Sequence, residues 1–214
     1  MQEVDAVRTF LGLDRIHLLG QSWGGFLAQE YMLTKPRGVQ SLILSNSAAS
    51  TARWIAEANR LRTQLPAEIQ RTLDNHEQAG TLDDPAYVAA TDVYYRRHLC
   101  RLDPWPDCLL RTFDQLNRDP EVYNTMWGPT EFYCSGRLKD WNIEERISEI
   151  RTPTLILSGE YDESTPAINE VMHRRIRNSE WIVLEGCSHT SHLEDPKKYL
   201  DIIGEFMMRV EESA

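Results

Sequence analysis

Residues 16–26, Ile16-His17-Leu18-Leu19-Gly20-Gln21-Ser22-Trp23-Gly24-Gly25-Phe26, decide the fold. The first five are an apolar run ending in glycine, as expected of a strand buried on both faces of a parallel sheet. From Phe26 to about Lys35 the sequence reads as a helix, stopped by Pro36 and Gly38. Between them lies Gly-x-Ser-x-Gly, a strand-to-helix turn so tight that only small residues fit around its centre. Gly20 and Gly24 are read as those small residues, and Gly25 extends the clearance. Such a turn lifts Ser22 Oγ above the sheet and sets its backbone at the positive end of the helix. A glycine-rich turn that merely packs closely is the plainer alternative, but the strand before and helix after supply the context a nucleophile requires.

The same alternation continues on both sides. Val4, Val7, Phe10 and Leu11 fall at helical spacing over Glu3 to Leu11, and Gly12 stands where a helix would end. Ser41 to Ser45, Thr154 to Ser158 and Trp181 to Leu184 read as three more buried strands. A helix from about Ala167 to Arg177 and a closing helix from Leu193 to Val210 complete the pattern. Residues from about 50 to 146 differ: they are charged, helix-periodic and repeatedly broken by Pro and Gly, with no convincing buried strand. The expected architecture is therefore an α/β parallel sheet of about four strands, built from residues 1–49 and 147–214, with an inserted helical lid over 50–146.

The 214-residue chain carries a formal net charge of −10, which argues against a broad electrostatic grip on nucleic acid. No stretch approaches the ~20 apolar residues of a membrane span, and the N-terminus lacks a signal peptide's pattern. The four cysteines include no C-x-x-C pair, and no His/Cys set has metal-ligand spacing. Reduced thiols, a cytoplasmic location, and no metal or cofactor are the expectations.

A serine hydroxyl needs a base in reach and an acid to orient that base. The chain order following a nucleophile elbow is serine, acid, histidine. Asp162 follows the third strand, at the carboxyl end where α/β sheets place active sites. Glu160 and Glu163 are its rivals, and a helix-capping acid ahead of Pro166 is the plain alternative. His189, in Gly186-Cys187-Ser188-His189 after the fourth strand, fits the base, with His192 as the competitor nearer the helix start. His17 reads as a core or sheet-edge histidine, and His76, His98 and His173 as helix-surface residues. Trp23, next to the nucleophile, would offer its backbone N–H to an oxyanion.

These residues resemble the proline iminopeptidases, or prolyl aminopeptidases, of the α/β-hydrolase superfamily. The likeness runs over most of the chain. It rests on Gly20-Gln21-Ser22-Trp23-Gly24-Gly25, Trp127-Gly128-Pro129-Thr130-Glu131-Phe132, Gly159-Glu160-Tyr161-Asp162-Glu163 and Gly186-Cys187-Ser188-His189. The Gly-Pro-x-Glu-Phe segment is the discriminating one. The resemblance implies a serine peptidase that releases N-terminal proline through an acyl-enzyme. It further implies that Glu131 and Glu163 bind the free α-amino end of a peptide or small-molecule substrate, where paired carboxylates would reject N-blocked peptides. Trp127, Phe132 and Tyr133 would wall an apolar ring pocket. The family's early His-Gly-Gly-Pro-Gly loop, which supplies a second oxyanion donor, has no counterpart here, and the chain reads as the family's without about its first third. A different hydrolase of the same fold, acting on an ester, amide or lactone, and an inactive or binding-only descendant are the competing readings.

Overall fold

The computed structural model describes residues 1–213. Helix α1 (Gln2–Leu11) leads into β1 (Ile16–Gln21), α2 (Trp23–Leu33) and β2 (Val39–Ser45). Five helices follow: α3 (Thr51–Arg62), α4 (Ala67–Ala79), α5 (Pro85–His98), α6 (Asp107–Arg118) and α7 (Glu121–Met126). The chain then returns through β3 (Thr154–Gly159), α8 (Pro166–Arg175), β4 (Ser179–Leu184), α9 (Ser191–Glu194) and α10 (Pro196–Glu212). Among the described residues the strands form one sheet in the order β1-β2-β3-β4, with every pairing parallel. This is the four-stranded parallel α/β sheet that the sequence leads one to expect.

Period-2 alternation sends successive side chains of each strand to opposite faces. Leu42, Leu44 and Ile156 pack with Ala28 and Met32 of α2 and Met172 of α8. Ile43, Leu155 and Leu157 pack on the other face with Tyr199, Ile203 and Phe206 of α10. Both faces are thus covered, which explains why the strands read as unbroken apolar runs. In the pairing register Gln21 lies beside Ser45, Ser45 beside Leu157, and Leu157 beside Ile182. The loops that leave these carboxyl ends therefore start at one level.

The stretch between β2 and β3 buries a cluster of its own, including Trp54, Leu73, Tyr87, Tyr94, Leu99 and Phe132. Phe26 of α2 and Ile168 of α8 belong to the same cluster, which seats these helices on the sheet's helical layer. Local chemistry starts the helices where the sequence turns. The Asp84 carboxylate accepts from Ala86 N–H at 2.8 Å ahead of Pro85, and Asp195 accepts from Lys198 N–H at 3.1 Å ahead of Pro196.

Two local expectations need correction. The single closing helix is two, α9 and α10, because Pro196 has no N–H to continue the ladder and Asp195 caps a fresh start. Helix α2 begins directly after Ser22 rather than at Phe26. Helix α1 forms as its spacing leads one to expect and ends at Gly12 in the left-handed conformation, φ 65°, with Val7, Phe10 and Leu11 exposed, Phe10 to 88%. Strand β1 pairs on one side only among the described residues, with Leu19 also exposed. None of the four cysteines is paired, and among the described residues no helix is long and apolar enough to cross a membrane.

Candidate active site

The elbow is built by close backbone approach. Ser22 sits at φ 53°, ψ −124°, a strained conformation for a side-chain-bearing residue, and is over-determined by its neighbours. Its N–H donates to Ser45 O at 2.9 Å, and its carbonyl accepts from Gly25 N–H and Ser47 Oγ, both at 2.9 Å. A Cβ on Gly20 would stand 2.3 Å from Gly24 O, and one on Gly25 would stand 2.2 Å from Ser47 Oγ. Gly24 departs from expectation: a Cβ there would meet nothing within 4 Å. It is the Gly24 backbone that crowds Gly20, so clearance is needed at Gly20 and Gly25.

Ser22, His189 and Asp162 are brought into one hydrogen-bonded chain. His189 Nε2 lies 2.9 Å from Ser22 Oγ, and His189 Nδ1 lies 2.8 Å from Asp162 Oδ1. Because the carboxylate accepts, Nδ1 carries the proton and Nε2 is left to accept from the serine hydroxyl. Burial pulls His189 toward the neutral form, but the charge and hydrogen bond of Asp162 outweigh it and hold the imidazole above its ordinary range. Asp162 is buried and also accepts from Ser164 N–H at 2.8 Å. The Trp54 ring meets the His189 ring edge to face, with centroids 5.5 Å apart.

The rivals fall elsewhere. Glu160 accepts from Gly186 N–H at 2.9 Å, bracing the turn after β4. His192 stacks obliquely on Tyr199, and burial together with the nearby His189 lowers its affinity for a proton. His17 bonds Ser41 Oγ and Glu211 at the sheet edge, while His76 and His173 are half-buried and bond Thr81 and Ser179. His98 is not on the surface: it is 6% exposed, and its Nδ1 donates to Tyr161 O at 2.9 Å. Its carbonyl also accepts from both Glu163 N–H and His189 N–H, so one helix end steadies two site loops.

Two cavities, of about 440 and 370 Å³, meet at Gln21, Ser22 and Glu131. The larger is walled by Trp23, Phe26, Trp54, Tyr123 and Trp127, and the smaller by His189, His192 and residues of α6. Trp127 is a wall residue of the larger cavity. Phe132 and Tyr133 are not: Phe132 is buried in the helical cluster against Tyr94, with centroids 4.7 Å apart and the Arg62 guanidinium over its ring. Trp54, Phe26 and Tyr123 take the wall instead. The Trp23 side chain is half exposed at the mouth, and its backbone N–H opens α2.

The two glutamates differ in setting. Glu131 faces both cavities and accepts from Tyr123 Oη–H at 2.6 Å, while Trp54 Nε1–H and the Tyr95 hydroxyl hold its backbone. Glu163 is fully buried, has no surface on either cavity, and neither carboxylate oxygen has a hydrogen-bond partner. Burial raises both carboxyls, most strongly that of Glu163, which Glu131 and Asp162 push further.

The residue most plainly missed in the sequence is Asn46, at the end of β2. Its Nδ2 lies 2.7 Å from Asp162 Oδ2, 3.2 Å from Ser188 O and 3.1 Å from Ser191 Oγ. Glu194 is a second, accepting from Ser188 N–H, Ser188 Oγ–H and Arg101 N–H at 2.6–2.7 Å. Among the described residues no group of His, Cys, Asp and Glu is arranged to hold a metal ion.

The chain is similar to known proteins over nearly its whole length. The family described as alpha/beta hydrolase fold matches residues 2–196. A proline iminopeptidase of Lactobacillus helveticus is 37% identical over 97% of this chain and 70% of its own length. One from Thermoplasma volcanium is 35% identical, again over 97% of this chain and 70% of that protein. Among solved structures, VinJ superposes with a TM-score of 0.95 at 38% identity, covering 97% of this chain and 71% of its own. A proline iminopeptidase from Mycobacterium smegmatis gives 0.91 at 40% identity, covering 99% and 71%.

Proposed function

Because the chain belongs to the proline iminopeptidases of the α/β-hydrolase family, we propose that it releases N-terminal proline, or a similar residue, from peptides through an acyl-enzyme on Ser22. The observation that carries this reading is the unbroken relay from Asp162 through His189 to Ser22 Oγ, opening on a cavity with Glu131 in its wall.

In the first half-reaction Ser22 Oγ attacks the carbonyl carbon as its proton passes to His189 Nε2. The imidazolium that forms is stabilised by Asp162, and the developing oxyanion is met by the Trp23 N–H at the head of α2. His189 then returns the proton to the leaving nitrogen as the C–N bond breaks. Water repeats the sequence on the ester and frees the amino acid. Glu131 faces the substrate's ammonium directly, with Glu163 as the buried charge beyond it, and the indole walls of Trp54 and Trp127 cover the ring. The helices between β2 and β3 act as the lid that excludes water from this pocket.

The test is hydrolysis of proline p-nitroanilide by the chain and by its Ser22→Ala variant. The variant is expected to lose about 10⁴-fold or more. Equal rates would overturn the mechanism, and faster turnover of an N-acetylated ester than of the free amine would overturn the aminopeptidase assignment.

A further inference from the structure

Two carboxyl groups of this site, Glu131 and Glu163, lie near enough for their charges to interact, and neither is in a side-chain ion pair among the described residues. Glu163 is 0% exposed and both of its oxygens lack a hydrogen-bond donor. The charges of Glu131, after α7, and of Asp162, in its own loop, bear on it, and the other titratable side chains that feel its charge are the tyrosines Tyr94 and Tyr95 of α5 and Tyr123 of α7. The Tyr94 hydroxyl likewise has no partner in hydrogen-bond geometry, although it is near enough to Glu163 to favour its ionised form, an effect that burial and the neighbouring carboxylates outweigh. Glu131 receives the Tyr123 hydroxyl from α7, and the one group near it able to carry positive charge is His189, already engaged by Asp162.

An ionised carboxylate without a donor or counter-charge cannot be kept in such a place at reasonable cost, and the ordinary escape is to hold a proton. Two like charges in one dry site strengthen that demand, so the protons belong to the pair rather than to either residue. We propose that Glu131 and Glu163 together hold one proton while the site is empty, and that the substrate's ammonium drives this proton out as it binds. This deepens the amine-binding role proposed above and rests on it. The charge balance is closed: the pair carries −1 with its proton, and two carboxylates with one ammonium again carry −1, the proton passing to the buffer. The site exchanges one cation for another and never exposes an uncompensated pair of charges. Selectivity follows, since an N-acylated peptide brings no cation to displace the proton and would meet a carboxyl that keeps it.

The experiment uses L-prolinol, which carries the cyclic ammonium without a scissile carbonyl. Its binding is measured by titration calorimetry at pH 7 in two buffers of different ionisation enthalpy, and the difference between buffers counts protons. Release of about one proton per ligand is expected from wild type and none from Glu163→Gln. Binding with no net proton release would overturn the exchange while leaving the amine site standing. Absence of binding would overturn both. Independently of any ligand, difference infrared spectroscopy of the empty protein at pH 7 should show a protonated carboxyl stretch that is absent from Glu163→Gln. If that variant folds poorly, Glu131→Gln supplies the second arm, and a wild-type spectrum with no such band overturns the proposal by itself.

Discussion

Asn46 Nδ2 donates to Asp162 Oδ2 at 2.7 Å, from a residue whose own backbone is left-handed at φ 51°. Both oxygens of Asp162 are thereby fixed, Oδ1 by His189 and Ser164 N–H and Oδ2 by Asn46. The same amide reaches Ser188 O and Ser191 Oγ, so one side chain registers the acid loop against the histidine loop. A hydrogen bond to a charged group contributes about 1.5–3 kcal/mol, so Asn46→Ala is expected to lower kcat about 10–100-fold with KM nearly unchanged. Asn46→Asp separates positioning from bulk destabilisation. While the introduced carboxyl is protonated it still donates; once ionised it repels Asp162. The activity of this variant should therefore fall as pH rises through the neutral range, where wild type gains, and a profile parallel to wild type would remove Asn46 from the relay.

The pH dependence of wild type follows from His189. Burial opposes its protonation, but Asp162 reverses the balance, so the imidazole keeps its proton to higher pH than a free histidine. The general base must be neutral to act. The acid limb of kcat/KM is thus expected to have its midpoint above about 6.5, with activity rising toward alkaline pH. Asp162→Asn removes the opposing charge, leaves burial in control, and should move that limb to lower pH while kcat drops about 10⁴-fold. A limb that stays in place would mean that another group titrates there.

Much of this was legible in the chain because it is carried by local patterns. The strands announce themselves as apolar runs, since helices cover both faces of the sheet, and the elbow is fixed by spacing. What was not legible depends on where distant pieces land. Asn46 looks like an ordinary turn residue after a strand, and its meaning comes from an aspartate 116 positions later. His98 has helix-surface spacing but lies under the Tyr161 carbonyl, and Phe132 is drawn into the helical cluster while Trp54, which no local pattern singles out, lines the larger cavity. Helix α1 shows the reverse limit: its amphipathic pattern is real, yet Phe10 is uncovered. Periodicity specifies a face, and only the packed neighbours decide whether it is buried.

Glu163 should leave a mark on stability as well as on binding. Its carboxyl is held well above the ordinary range by burial and by Glu131 and Asp162. Between the unfolded value of about 4.3 and the higher folded one, the folded state binds more protons, so stability falls as pH rises through that window. Glu163→Gln replaces the group with a neutral one of the same shape. It is expected to melt with wild type at about pH 4 and above it at about pH 7, by about 2–4 °C for each kcal/mol relieved. A difference in Tm that does not change with pH would show that Glu163 carries no such cost.

The elbow glycines give a contrast that sequence spacing alone would get wrong. Gly20 and Gly24 hold equivalent places in Gly-x-Ser-x-Gly, but a Cβ on Gly20 would strike Gly24 O at 2.3 Å, whereas one on Gly24 would have open space. Gly20→Ala has to shift backbone against backbone, costing about 1–3 kcal/mol or more, and it tilts Ser22 away from His189. Gly24→Ala, in the first turn of α2, should instead stabilise the protein by up to about 0.5–1 kcal/mol, since alanine suits a helix better than glycine. Gly24 also lines the larger cavity, so added bulk there is expected to weaken substrate binding. The expected result is a more stable enzyme with raised KM at Gly24 and a less stable one with lowered kcat at Gly20, read from denaturant melts beside steady-state kinetics. Equal destabilisation at both positions would mean that the turn is held by the pentapeptide pattern as a whole and not by the single contact between Gly20 and the Gly24 carbonyl.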